Sequence, residues 1–208
     1  MATDDSTKTD ENTTQRRWIV FMIGMTMLQV ILLALTACAY AINRLKLPYG
    51  SSLGMFDMTG NSIKLANTVG IGVIFLIAIA YPGHMNYMNL MSTVIWVLFT
   101  VDLTLLIVFA VGSEPKNSVL YYSILVLSAL IYGFSQISCI KTYVDDVPYV
   151  IVGMSMISIS VFFYHILFLI VSSIITILDI NYWIVVGQMV YVVLMAGSSA
   201  ILWTFTGK

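Results

Sequence analysis

The chain has 208 residues, of which 60% are hydrophobic and 9% charged, with a mean hydropathy of +0.96 and a formal net charge of -1. Nine Lys/Arg and ten Asp/Glu cannot clothe a soluble globule of this length, where roughly a quarter of residues are charged, so lipid is the solvent for most of the chain. The near-neutral balance also excludes a nucleic-acid-binding surface.

Residues 1–17, MATDDSTKTDENTTQRR, are polar throughout and read as a disordered tail. They contain a sequon, Asn12-Thr13-Thr14, which matters only if the tail faces a lumen or the exterior. The first apolar run covers residues 18–42. It is longer than the hydrophobic region of a signal peptide and follows an acidic tail, so it reads as a retained helix. A polar loop over 43–64 precedes the second run, 65–81, which Pro82-Gly83 stops. Further runs cover 89–112, 119–140, 149–177 and 182–205, and a short tail, 206–208, ends the chain. Each run is apolar on all sides and about as long as the roughly 20 residues a helix needs to span hydrocarbon. Barrel strands would instead alternate over about ten residues. The expected fold is therefore an all-α integral membrane protein with six transmembrane helices, consecutive ones antiparallel. Arg16-Arg17 abut the first span, and this favours cytoplasmic termini. Cys38 and Cys139 lie in apolar runs and read as small buried residues rather than a disulfide or metal pair. No internal repeat is discernible.

Polar residues inside the runs are the candidates for chemistry. Asp102 is the one acid deep within a span. A charge at that depth is expensive, so it faces a bundle interior or water, where it suits a cation, a proton or a substrate amine; otherwise it is bonded to a neighbouring helix. His165 in the fifth run is a second possible proton site, or a neutral ring bonded to a tyrosine or carbonyl. Gln136, Asn67, Gln29 and Gln188 occupy four different runs. Each can recognise a polar solute or bond two helices together. Gly70, Gly72, Gly133, Gly153, Ser155, Ser158 and Gly197 mark close helix contacts. No phosphate loop, metalloprotease helix or serine elbow occurs, so an enzyme is not expected, and neither a cofactor nor a metal is expected.

The stretch YGFSQISCIKTYVDDVPYVIVGMSMISISVFF, residues 132–163, resembles the equilibrative nucleoside transporter family. Gly133 and Gln136 match a Gly-x-x-Gln-like element in that family's fourth helix. Gly153 matches the first glycine of the fifth, with Ser155 and Ser158 where the family more often has glycine. LTACAYAINRL and the Asn67 region fit more loosely, so the resemblance covers about residues 20–180. The family typically has eleven spans and this chain has runs for the first six. The family's basic residue near the start of helix three has no counterpart in Tyr87-Met88-Asn89-Leu90-Met91. The resemblance implies a major-facilitator-like half-bundle that moves nucleosides, nucleobases or similar solutes by alternating access. A homo-oligomer or a second half-bundle would supply the other wall, and Gln136, Asn67, Asp102 and Gln29 would line the path. The alternatives are a truncated, non-transporting interaction or structural protein of the membrane, and a small channel, for which no filter is evident.

Overall fold

A computed structural model describes residues 3–29, 31–33, 36, 52–81, 83, 85–111, 115–175 and 179–206. The helices are α1 (Thr3–Met27), α2 (Ser52–Ala80), α3 (Tyr87–Val111), α4 (Pro115–Thr142), α5 (Val147–Ile174) and α6 (Ile180–Thr206). A single 3₁₀ turn, Val144–Asp146, joins α4 to α5. Among the described residues, six helical segments are long and apolar enough to cross a bilayer: Thr13–Leu33, Gly60–Ala80, Tyr87–Val111, Val119–Thr142, Val144–Ile174 and Tyr182–Phe205. The protein is thus an all-α, multispan integral membrane protein. Helices are what lipid permits here, because they satisfy every backbone donor and acceptor within one segment. Gly83 with φ 83° and Asp179 with φ 57° supply the left-handed turns before α3 and α6. Pro148 sits in the first turn of α5, where its missing N–H costs nothing.

Two boundaries differ from the sequence expectation. The polar tail is not unstructured: α1 is helical from Thr3. Once the apolar segment has nucleated a helix, each added residue gains a backbone bond without a further nucleation cost. Likewise α2 begins at Ser52, inside what hydropathy marks as loop, because hydropathy locates the lipid boundary and not the helix end. Cys38 and the last part of the first apolar run lie outside the described residues.

The helices pack in the order α2, α4, α3, α6, α1, α5. This order is the same read from either end if α1, α2 and α3 are exchanged with α4, α5 and α6. Directions agree with that exchange. Helix α1 runs antiparallel to α6, since Thr26 meets Ser199 and Thr36 meets Gln188. Helix α6 runs antiparallel to α3, since Trp96 meets Thr204 and Phe109 stacks on Tyr182. Helix α2 runs parallel to α4, with Ser62 at Tyr122 and Gly70 at Gly133. Helix α5 runs parallel to α1, with Arg17 at Tyr149 and Gly24 at Gly153.

The two outer crossings share their closest contacts, each glycine lying on the carbonyl three residues before the glycine it faces. A Cβ on Gly133 would overlap the Asn67 carbonyl, three residues before Gly70, and lie 2.9 Å from Ile71 N, one residue after it. A Cβ on Gly153 would overlap the Phe21 carbonyl, three residues before Gly24, and lie 3.0 Å from Met25 N, one residue after it. The reciprocal contacts match as well: Gly70 meets the Leu130 carbonyl and Gly24 meets the Val150 carbonyl. The chain therefore folds as two three-helix groups of opposite orientation, α2/α4/α3 and α5/α1/α6, with the α3/α6 pair at their junction. The sequence expectation of no repeat is corrected at the level of structure. Apolar residues cover every face of these helices, so no periodic pattern is left to align.

Candidate functional site

At the centre of the bundle, α1, α3, α4 and α6 bring polar side chains to one level. Thr26 Oγ1 lies 2.6 Å from Ser199 Oγ, and Thr36 Oγ1 donates to Gln188 Oε1 at 2.9 Å. Between these two links Gln29 lies level with Ala196 on α6, because the helices are antiparallel. On the other side of α6, Phe99 packs on Gly197, and Trp96 Nε1 donates to Thr204 Oγ1 at 3.2 Å. Asp102, one turn beyond Phe99, therefore comes within about a turn of Ala196 as well. On α4 the Phe109–Tyr121 ring contact sets the register and puts Ser128 opposite Asp102. Ser128 is buried and its hydroxyl donates to Leu125 O at 2.8 Å.

Gln29 is 1% exposed and Asp102 3% exposed. Neither polar atom of Gln29 and neither carboxylate oxygen of Asp102 has a hydrogen-bond partner. Buried polar groups are ordinarily paired, and leaving one unpaired costs about 1–3 kcal/mol, more for a charged group. Gln188 is equally buried, but its oxygen is used by Thr36 and only its Nε2 is unpaired. It lies about two turns from the Ala196 level.

The other candidates do not converge here. Asn67 has a buried, unpaired Oδ1, but it belongs to the α2/α4 crossing, on the far side of α4 from α3. Gln136 is half-buried and in hydrogen-bonding range of the Tyr132 hydroxyl, one turn back on its own helix. His165 Nδ1 donates to Val161 O, 2.8 Å away on its own helix. It lies on α5, which packs on α1 and more thinly on α6, whereas Asp102 lies on α3; the two are not a proton-sharing pair.

Of the packing residues, Gly133, Gly153, Gly70 and Gly197 stand at helix contacts. Ser155 and Ser158 do not: both are exposed, and Ser155 donates to Ile151 O on its own helix. The face of α5 that meets α1 runs through Gly153, Ile157 and Val161, and at 100° per residue Ser155 and Ser158 turn away from it. A Cβ on Gly72 meets open space. Gly24 had no signal of its own, being a single glycine in an apolar run.

The end of the bundle that carries the termini is tied by a cluster the sequence did not signal. Arg16 Nε contacts Asp146 Oδ2 at 2.8 Å. Its guanidinium lies over the Tyr143 ring at 5.2 Å, and Tyr143 meets Trp203 edge-on at 5.8 Å. Burial, with smaller contributions from Cys139 and Asp146 set against Arg16, pushes the Tyr143 hydroxyl up to about 12, so it stays neutral. The cluster joins α1, the α4–α5 turn and α6. Asp146→Asn is expected to cost about 1 kcal/mol in thermal unfolding at low salt, and to abolish the wild-type loss of stability in high salt.

No family model, curated protein or solved structure matches the chain.

Proposed function

We propose that the protein is a membrane carrier for a small polar solute, working by alternating access, with the packed groups α2/α4/α3 and α5/α1/α6 as its two moving units. The observation that carries this reading is that Asp102 and Gln29, on the two helices that flank α6, are each buried at mid-bundle with no hydrogen-bond partner. A purely structural role fits Thr26, Ser199, Thr36 and Gln188, whose oxygens bond one another between helices. It does not fit Asp102 and Gln29, which bond nothing. Inverted units suit a carrier because exchanging their conformations opens the same central site to the opposite face.

Nucleosides and nucleobases are the solute class suggested by Gly133, Gln136 and Gly153. A ring with both donors and acceptors matches an amide such as Gln29. The test is uptake of labelled uridine, adenosine and hypoxanthine into proteoliposomes of the purified protein. Saturable flux and counterflow are expected; no flux of any of the three, at acidic and neutral pH alike, would sink the nucleoside reading.

A further inference from the structure

We infer that Asp102, with Gln29, is the binding site of a monovalent cation, either a proton or an alkali-metal ion. The Asp102 carboxylate has two oxygens free of any partner and is 3% exposed. The elements packed against α3 are α4 and α6; at the level of Asp102 they present the Ser128 hydroxyl and Ala196, with the Gln29 amide of α1 at the same level beside α6, and none of these supplies a positive charge. The described cations lie elsewhere: Arg16 and Arg17, with Lys8 before them on α1, at the end with the termini, Lys116 and Lys141 in the first and last turns of α4, and Lys64 on the exposed side of α2. His165 is held by its own helix on α5.

An ionised carboxylate at that depth with no counter-charge is costly by several kcal/mol. A cation removes that cost, and the Ser128 hydroxyl on the packed helix α4 and the Gln29 amide at the same level are oxygen donors of the kind hard cations take. Ser128 already donates its proton to Leu125 O, which leaves its lone pairs for an acceptor role. The site has a consequence for transport, and this part rests on the carrier reading. If the units exchange conformations cheaply only when Asp102 is neutralised, the cation crosses with the solute and its gradient drives accumulation.

The test reads binding without solute. Thermal unfolding of the purified full chain in detergent is followed in sodium, potassium or choline chloride at equal ionic strength. A pH series in choline chloride follows. A ligand bound only by the folded state raises the melting temperature with its concentration. A rise of several degrees in sodium or potassium over choline identifies a metal-ion site, and a rise on acidification in choline alone identifies a proton site. Either response should vanish in Asp102→Asn and persist, at altered concentration, in Asp102→Glu. Gln29→Leu should shift it about tenfold to higher ligand concentration. Identical responses of wild type and Asp102→Asn in every series would overturn the inference. Failure of nucleoside uptake would leave this result standing, so the two can be told apart.

Discussion

Replacing Gly153 by leucine is expected to detach α5 from α1 and lower stability by about 3 kcal/mol, at the upper end of what overpacking costs. The cause is backbone, not side chain. A Cβ at this position overlaps the Phe21 carbonyl oxygen, with Met25 N at 3.0 Å and Gly24 C at 3.2 Å. None of these atoms can rotate away, so the helices themselves must part. Helix α5 is held mainly by α1 and only thinly by α6, and no second interface compensates. Gly133→Leu meets the Asn67 carbonyl, Ile71 N and Gly70 Cα and should cost a similar amount at the α2/α4 crossing. Gly72→Leu, on the same helix as Gly70 but facing open space, is the control and should be near neutral. The measurement is the melting temperature in detergent together with the monodisperse fraction on size exclusion. Tolerance of leucine at both Gly153 and Gly133 would show that the close crossings do not hold the outer helices.

Removing the buried acid is expected to have the opposite effect on stability and a larger one on activity. Asp102→Val puts a side chain of similar size among Leu98, Val101 and Leu105 and relieves an unpaired group at the bundle centre. Replacing a buried charge by a packed apolar residue typically stabilises by about 1–4 kcal/mol. The melting temperature should therefore rise, while concentrative uptake falls to the level of empty liposomes. The combination separates a site from a scaffold. If Asp102 served only to bond helices together, its loss would lower the melting temperature and leave flux intact in the protein that still folds.

The spans were legible because the bilayer imposes a crude requirement, about 20 consecutive apolar residues, and all six apolar runs correspond to spanning helices. Helix ends were less legible, since α1 and α2 extend into polar sequence that hydropathy reads as tail and loop. The depth and burial of Asp102 and Gln29 could be anticipated from their isolation in apolar runs. Which polar residues meet could not. In water a helix reveals its inner face by periodic polarity, but in lipid both faces are apolar, so the sequence does not show that Ser155 points outward or that Asn67 is shielded from Asp102 by α4. The repeat was hidden for the same reason. It rests on two glycine crossings and on packing order, and Gly24 looks like any other glycine in an apolar run. The Arg16–Asp146–Tyr143 cluster joins residues far apart in sequence, which only the fold brings together.

The central claim is that two inverted units expose one mid-bundle site to both faces in turn. It is tested most directly by a single cysteine at Ala196, which is fully buried at the level of Asp102 and Gln29, in a chain whose Cys38 and Cys139 are changed to alanine. A membrane-impermeant thiol reagent is applied to right-side-out and to inside-out vesicles. The inverted arrangement predicts slow labelling from either face, with Gly153→Leu impairing both. Labelling from one face alone, or from neither, would contradict it.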